Sequence, residues 1–440
     1  MNLADYSHAI EQADFVPRCG RVTHSYGVVV ESQGPDAFVG EVCEVYPQSR
    51  SSAITAEVVG IKDGKMLLMP YGELRGVKLG SKVVATGRPL QIPVGEALLG
   101  RVVDAFGAPL DGQPAPKSSQ SYAISGEPTN PLSRATIHEV LETGVRTIDT
   151  LLTIGKGQRV GIFSGSGVGK STLLGMIARN IKADVSVIAM VGERGREVRE
   201  FVERTLGAEG LKRSVVVAAT SDQPALVRSN AAYAATAIAE FFRDRGRDVA
   251  LIMDSITRFA MARREIGLAV GEPPTARGYT PSVFANLSTL LERCGTWTSG
   301  GSITAVYTVL MEADDLNDPI VDAARSILDG NVVLSRDIAN QGHYPAIDVL
   351  RSTSRLFPIL ADAETRRLAQ RTIASMNTYQ SNKELIEIGA YRTGANAEVD
   401  QAIERMPKLN KFLSQDTAER VSRAQALQGL KAVMSASPGA

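Results

Sequence analysis

The most informative segment of this sequence is Ser164-Gly-Ser-Gly-Val-Gly-Lys-Ser-Thr172. A short apolar run at 159–163 precedes it and a helical pattern at 173–180 follows it, which gives the order strand, loop, helix. The glycines let backbone N–H groups turn inward around phosphate oxygens, and the helix N-terminus adds positive potential. The pattern therefore predicts a phosphate loop, although Ser164 stands where the usual motif has glycine. The alternative is a glycine-rich turn that contains a lysine by chance.

The chemistry of this loop predicts ATP and Mg²⁺ as ligands. Lys170 would reach the β- and γ-phosphates, and the hydroxyl of Ser171 would ligate Mg²⁺. The candidate phosphate-binding residues are Ser164, Gly165, Ser166, Gly167, Val168, Gly169, Lys170, Ser171 and Thr172.

Two apolar runs further along the chain end in carboxylates. The run at 249–253 ends at Asp254, which we expect to hold Mg²⁺ through water. The run at 185–191 leads to Glu193 and Arg194. Because ligands bind at the carboxyl ends of parallel strands, Glu193 is placed to polarise the attacking water and Arg194 to neutralise γ-phosphate charge. The alternative for this second pair is a surface charge cluster, since charged residues continue to 200.

Two more candidates follow near residue 350. Tyr344 offers an aromatic face that could stack on adenine, and Arg355 could act as an arginine finger on the γ-phosphate of a neighbouring subunit. From these residues alone, core packing and a surface ion pair remain alternatives. His343 is interpreted as a structural or solvated histidine.

The patterns along the chain divide it into a β-rich part, an α/β part and a helical part. Short β runs at 27–30, 38–45, 54–61, 65–69 and 82–85 predict a small barrel. A segment rich in proline and glycine at 108–135 reads as a surface connector. Buried parallel strands at 185–191, 214–219, 249–253 and 303–309 alternate with helical stretches. Helices alone are predicted after 355, at 368–376, 383–388, 399–403 and 418–434.

Composition indicates an ordinary globular protein of two or three domains. The 440 residues are 44% hydrophobic and 22% charged, and 48 basic residues balance 48 acidic ones. That balance gives no support to nucleic acid as a partner. The cysteines Cys19, Cys43 and Cys294 are read as free thiols in a reducing compartment. No secretory signal or membrane-spanning run is visible, so we expect a cytoplasmic protein.

Taken together, these motifs resemble the rotary-type ATPase subunits, specifically the ATPases of bacterial type III protein export. The resemblance is carried by Gly192-Glu-Arg-Gly-Arg-Glu-Val198, Thr257-Arg-Phe-Ala-Met-Ala-Arg-Arg-Glu265, Gly271-Glu-Pro-Pro-Thr-Ala-Arg-Gly-Tyr-Thr-Pro281, Asp314-Asp-Leu-Asn-Asp-Pro-Ile320, Ser326-Ile-Leu-Asp-Gly330 and His343-Tyr-Pro-Ala-Ile-Asp348. It implies a β-barrel at 19–95, a RecA-like ATPase domain at 96–355 and a C-terminal helical domain at 356–440.

The resemblance also implies roles for single residues. Lys170, Ser171, Glu193, Arg194 and Asp254 fall on the phosphate, Mg²⁺ and catalytic-base positions. By the same similarity, Tyr344 falls on the adenine-stacking position and Arg355 on the finger position. Because Glu193 and Arg355 stand in one chain, identical subunits can build a complete site at every interface, which implies a homohexamer.

The partners implied by the family lie at the two ends of the chain. The stripe Leu3, Tyr6, Ile10 and Ala13 predicts an N-terminal helix at 1–18, which is either a frayed terminus or a docking helix for a stator-like regulatory protein. The helical C-terminal face would meet a central stalk protein, export substrates and chaperones. The ring would lie at the inner-membrane export apparatus, against the export gate.

The start of the barrel, at 20–34, looks closer to the flagellar export enzymes than to those of virulence secretion. An ATP synthase catalytic subunit would need a partner chain to supply the finger. A hexameric RNA translocase would need a basic and aromatic barrel, which this chain lacks. A nucleotide-binding regulator without hydrolysis would not need Glu193 and Arg355.

Overall fold

The computed structural model describes residues 18–47, 52–126, 130–311, 315 and 317–435. The N-terminal stripe Leu3, Tyr6, Ile10 and Ala13 lies outside the described residues, as does the end of the chain after 435. The docking helix therefore stays a prediction. A barrel, a central α/β domain and a C-terminal helical domain follow one another, as the sequence predicted.

The barrel is a closed sheet of six antiparallel strands. Their spatial order is first, second, fifth, fourth, third and sixth, and the first pairs with the sixth to close the ring. The strands are Cys19–Tyr26, Val29–Gln33, Glu41–Tyr46, Ile54–Lys62, Lys65–Pro70 and Lys82–Pro89. Alternate residues point inward, and Val30, Val45, Val58 and Leu68 form the barrel core.

Two predicted barrel strands began too early. Gly27 lies in a turn with φ +57°, so the strand starts only at Val29. Phe38 also precedes its strand, because its N–H donates to the buried carboxylate of Glu41 at 3.1 Å and closes a turn. Hydrophobic pattern alone does not reveal this local hydrogen bond.

The central domain is built on a nine-stranded sheet in the described residues. Its order places Arg159–Ser164 beside Ser302–Leu310, then Asp248–Asp254 and then Val185–Glu193, all parallel. The remaining strands are Ser214–Thr220, Arg101–Val103, Gly330–Leu334, the antiparallel edge strand Ile347–Ser354 and the short Gly295–Thr296.

Each face of this sheet has its own core. Phe163, Met253 and Tyr307 are buried on one face, in a core that includes the helix Ala225–Arg243. Ile162 and Ile252 belong to the other face, which is shared with the phosphate-loop helix and the C-terminal helices. Strands buried on both faces read as continuous apolar runs, which explains why they could be located from the sequence.

Most connections between the strands of the central domain contain helices. Those of the central domain are Arg146–Leu151, Lys170–Asn180, Gly195–Glu200, Gly207–Lys212, Ala225–Arg243, Ile256–Ala269, Pro281–Glu292, Pro319–Ile327 and Arg336–Asn340, with a π-helical turn at Phe201–Leu206. The short 3-10 turns are Glu96–Leu98, Pro131–Ser133 and Ala276–Gly278. None of the described helices is both long enough and apolar enough to cross a bilayer. The thiols of Cys19, Cys43 and Cys294 are free.

The C-terminal domain contains the helices Phe357–Leu360, Ala363–Glu387, Ala397–Leu413 and Arg423–Ser435. The predicted helix at 383–388 is only the end of a longer helix. The helix predicted to begin at 418 begins instead at Arg423, where the N–H of Arg423 donates to the carboxylate of Glu142 at 3.1 Å and the hydroxyl of Ser422 accepts from the N–H of Gln425 at 3.3 Å. The domain boundaries predicted after 18, 95 and 355 stay predictions.

The connector between barrel and central domain is anchored by a buried ion pair. Part of it forms the strand Gln120–Ala123, which pairs with Gln91–Val94. The guanidinium of Arg293 then donates to the carbonyl of Ile124 at 2.6 Å and to both carboxylate oxygens of Glu240, at 2.8 and 2.6 Å. Both charged side chains are buried, so each depends on the other for neutralisation.

Removing one member of this pair should therefore destabilise the protein strongly. We expect Arg293→Met to lower the free energy of unfolding by about 3–5 kcal/mol, because Glu240 is left charged and buried. Urea denaturation followed by circular dichroism measures the change. The double variant Glu240→Met, Arg293→Met removes both charges and should lose less. Equal losses would mean that packing, and not the unpaired charge, dominates.

Candidate active site

The phosphate loop leaves the sheet at the carboxyl end of the strand Arg159–Ser164 and enters the helix Lys170–Asn180. Gly169 caps that helix in the left-handed region, with φ +93°. Ser164 is fully buried, and its hydroxyl oxygen has no hydrogen-bond partner. Its side chain therefore fits at the position of the usual glycine, and the loop keeps its strand–loop–helix geometry.

Lys170 is the charge that joins the parts of this site. Its ammonium nitrogen forms an ion pair with Asp254 Oδ1 and lies 3.8 Å from Glu193 Oε1. Both carboxylates come from the ends of parallel strands, and both are buried. The structure thus brings together three residues that the sequence placed far apart.

The carboxyl group of Glu193 has an unusual environment. Burial, together with the negative charge of Asp254, raises its pKa to about 7, while the charge of Lys170 opposes the shift. Its Oε1 atom is buried and has no hydrogen-bond partner. A carboxylate with a free lone pair and a pKa near neutrality is suited to accept a proton from water.

A cleft of about 710 Å³ opens beside these residues. It is lined by the phosphate loop, by Glu193 and Arg194, and by Arg258 and Arg336 from following helices. Arg194 is 72% exposed and lies within 3.5 Å of Glu197, so its guanidinium is at the mouth of the cleft. Asp254 lies behind Lys170 and does not line the cleft.

Tyr344 lies next to the phosphate loop. A Cβ atom placed on Gly169 would lie 3.4 Å from Cδ1 of this tyrosine, which is ordinary van der Waals contact, so the ring packs beside this glycine. Tyr344 is 43% exposed, which leaves surface for a ligand. His343 is partly buried, and burial lowers its pKa.

Arg355 lies apart from the other candidates. It directly follows the antiparallel edge strand, is exposed, and donates from Nη2 to the carbonyl of Arg325 at 3.1 Å. It is not among the described residues that line the cleft. One chain therefore does not place Arg355 and Glu193 in the same cavity.

Comparison with known proteins shows which family this chain belongs to. Family models match the ATP synthase alpha/beta family β-barrel domain at 22–87, its nucleotide-binding domain at 144–354 and the T3SS EscN ATPase C-terminal domain at 361–432. The flagellum-specific ATP synthase of Bacillus subtilis (strain 168) is 54% identical over 411 residues, which are 93% of this chain and 94% of that protein. This chain belongs to the type III export ATPases of the ATP synthase alpha/beta family.

Other relatives agree. The type 3 secretion system ATPase of Xanthomonas euvesicatoria is 49% identical over 94% of each chain. The assembled ATPase EscN of the enteropathogenic E. coli type III secretion system superimposes with a TM-score of 0.90 at 43% identity, covering 94% of this chain and 100% of that one. EscN in complex with its central stalk EscO gives a TM-score of 0.87 at 42% identity, with the same coverage. This export ATPase is an ATP-hydrolysing enzyme.

Two residues at this site of the export ATPase were not predicted from the sequence. Thr308 donates its hydroxyl to Asp254 Oδ1 at 2.7 Å, but a threonine inside an apolar strand gives no signal of that contact. Arg258 lines the cleft and packs its side chain against Gly192, whose φ is +68°. Its Nε atom is buried without a partner. The apolar run that ends at Asp254, followed by a helix with an arginine in its first turn, was a signal that could have identified it.

The residues present fit a nucleotide with its metal ion. The glycines of the loop leave open space that side chains would fill. Buried polar atoms of Glu193 and Arg258 have no hydrogen-bond partner. Within the described ranges no three His, Cys, Asp or Glu side chains form a metal site. Mg²⁺ does not need one, since it is usually held by one or two protein oxygens, water and substrate phosphates.

Removal of Lys170 should disable this export ATPase. Lys170→Ala takes away the charge that we expect to meet the phosphates and leaves two buried carboxylates without their cation, so we expect weaker ATP binding and a fall in turnover of about 100- to 1000-fold. Phosphate release and equilibrium binding measure the two effects. Lys182→Ala, in an exposed ion pair just beyond the same helix, is the control and should keep its activity. Normal turnover in Lys170→Ala would rule out this site.

Proposed function

We propose that this chain hydrolyses Mg-ATP to energise or time protein export through a flagellar type III secretion apparatus, and that it acts as a homohexameric ring. One observation carries the hydrolase mechanism. The ammonium of Lys170 lies between the carboxylates of Asp254 and Glu193 at the edge of the sheet, beside a glycine-rich loop. That arrangement supplies a phosphate-binding cation and a base within one cleft.

The phosphate loop binds the substrate. Its backbone N–H groups surround the phosphates, and Lys170 moves its charge from the carboxylates towards the β- and γ-phosphates when they enter. Mg²⁺ would be held by the hydroxyl of Ser171 and, through water, by Asp254. When bound, it neutralises charge on the phosphate oxygens. Thr308 keeps Asp254 oriented for this task.

Glu193 is the proposed base. It accepts a hydrogen bond, and then the proton, from the water that attacks the γ-phosphorus, while the bond from that phosphorus to the β–γ bridging oxygen breaks and ADP leaves. Its raised pKa suits this transfer, and departure of Lys170 towards the phosphates leaves its Oε1 atom open to that water. Arg194 and Arg258 stand at the cleft to balance the charge that develops on the phosphoryl oxygens.

Tyr344 is the proposed adenine platform. Its ring lies against the glycine that begins the phosphate-loop helix, so a base stacked on its exposed face remains within reach of the triphosphate cradle. Stacking accepts any base without reading hydrogen bonds, and it therefore supplies affinity more than specificity.

Arg355 is the proposed finger of a neighbouring subunit. It is exposed at the edge of the central sheet and outside the cleft of its own chain, which suits an action across a subunit boundary. Six identical chains in a ring would give every interface one Glu193 and one Arg355. The similarity to the assembled ATPase EscN supports a multimeric state.

The proposed partners follow from the relatives. A central stalk is bound by EscN, and we propose that the C-terminal helical face of this chain meets a stalk protein, export substrates and chaperones. The N-terminal 18 residues would bind a stator-like regulator. The ring would lie in the cytoplasm, peripheral to the inner membrane and against the export gate. A virulence secretion system is the alternative setting, because relatives of that kind reach 49% identity.

Deletion of the gene in its native host tests the flagellar assignment. We expect cells without filaments and without swimming motility, because export of the filament proteins is lost, and both should return when the intact gene is restored. Electron microscopy and soft-agar motility are the measurements. Cells that keep their filaments but fail to secrete other proteins would contradict the flagellar assignment and favour a virulence secretion system.

The shared site can be tested by mixing subunits. Arg355→Ala should leave nucleotide affinity of the monomer nearly unchanged and lower turnover of the ring by about a thousandfold or more. Glu193→Gln should bind ATP and hydrolyse it very slowly, because an amide cannot take the proton. Each variant is nearly inactive alone, but a mixed ring regains interfaces with both groups intact.

Recovered phosphate release on mixing would support action across the boundary. Absence of recovery in rings shown by mass spectrometry to contain both variants would contradict it. Arg355→Lys should be a poor substitute, since lysine lacks the planar fork that spans two oxygens.

A further inference from the structure

A short segment of the C-terminal domain contacts the backbone of Tyr344. This segment, 414–422, joins the helices Ala397–Leu413 and Arg423–Ser435, and we call it the strap. At its start, the N–H of Gln415 donates to the carbonyl of Tyr344 at 2.9 Å. The hydroxyl of Ser414 donates to the same carbonyl at 3.4 Å. The residue proposed to stack on adenine is thus held through its backbone by the strap.

The side chain of Gln415 fastens the strap to the central domain. It is only 4% exposed, yet every polar atom of its amide has a partner. Oε1 accepts from the N–H of Arg146 at 2.9 Å, and Nε2 donates to the carbonyls of Gly144 at 2.8 Å and Glu419 at 3.2 Å. A buried amide with complete pairing has one defined position, because any displacement leaves several polar groups unpaired.

Two arginines hold the rest of the strap. Arg146 donates to the carbonyl of Ser414 at 3.0 Å and forms an ion pair with Glu419. Arg179, near the end of the phosphate-loop helix, donates to the carbonyl of Thr417 at 2.7 Å. These contacts fix the strap at 414, 417 and 419, and the side chain of Gln415 fixes the residue whose N–H makes the shorter hydrogen bond to the Tyr344 carbonyl.

We propose that Gln415 is a positioning residue for nucleotide binding, which holds the strap so that Tyr344 keeps its ring beside Gly169 and ready to stack on adenine. The inference rests on the proposed role of Tyr344. Tyr344 is 43% exposed, so packing holds it only in part, and its backbone carbonyl is where the strap acts. Since Gln415 does not contact the phosphate loop, its influence falls on the base and not on the phosphates.

The experiment compares two ligands on the full-length protein, in the presence of Mg²⁺. ATP carries a base, and inorganic tripolyphosphate does not. Stacking on an aromatic ring contributes about 5- to 100-fold to affinity. Loss of the Gln415 side chain, which supports Tyr344, should therefore remove part of this affinity. We expect Gln415→Ala to raise the Kd for ATP by about threefold to tenfold in titration calorimetry. The Kd for tripolyphosphate should change by less than about twofold, and kcat at saturating ATP should change little.

Three further variants complete the test. Tyr344→Ala should show the same selective loss in larger measure. Gln401→Ala, an exposed glutamine on the neighbouring helix, should bind both ligands normally. If Gln415→Ala does not fold, Gln415→Met keeps the volume of the side chain and removes its polar contacts. Thermal unfolding of each variant confirms that binding is measured on folded protein.

The outcomes separate the two proposals. Selective loss of ATP affinity in the variants of both Gln415 and Tyr344 supports the positioning role. Selective loss in Tyr344→Ala alone, or an equal loss for both ligands in the Gln415 variant, overturns it and leaves the adenine platform standing. No selective loss in Tyr344→Ala removes the platform itself, and the role of Gln415 with it.

Discussion

One ammonium group between two buried carboxylates organises this protein. Lys170 leaves the phosphate loop, passes over the end of the strand Ser302–Leu310 and meets Asp254 and Glu193 on the two strands beyond it. Two like charges held this close and out of water require a cation, and without one a proton would take its place. The parallel strand order brings these three distant segments to one point. Under the proposed mechanism, an incoming phosphate competes there for the cation.

The same sheet separates the groups that hydrolysis needs. Glu193 lies inside the cleft, whereas Arg355 follows the antiparallel strand at the sheet edge. Under the proposed ring, each chain carries both groups but uses one of them in its own site and the other in its neighbour's. Coupling of this kind would make turnover depend on assembly, so that unassembled subunits bind ATP without wasting it.

The sequence predicted the features that arise from local pattern. The phosphate loop, the apolar strands and the carboxylates at their ends were visible because strand burial leaves a continuous apolar run and the loop needs its glycines. Thr308 was invisible, since its partner Asp254 is 54 positions away and a threonine is ordinary in a strand. The predicted start of the last helix at 418 was wrong, because a contact at its actual start, between the N–H of Arg423 and Glu142, reaches across 281 positions and leaves no local pattern. The roles of Tyr344 and Arg355, and the docking of residues 1–18, stay predictions.

The strap also has a bearing on how the chain is made. Gln415 contacts Gly144 and Arg146 across 271 and 269 positions of sequence. The N–H of the same glutamine donates to the carbonyl of Tyr344. The ribosome must therefore translate past residue 415 before Tyr344 receives the support of the strap. The nascent polypeptide can fold its barrel early, but a premature stop codon anywhere ahead of 415 would leave a phosphate loop without its finished surroundings.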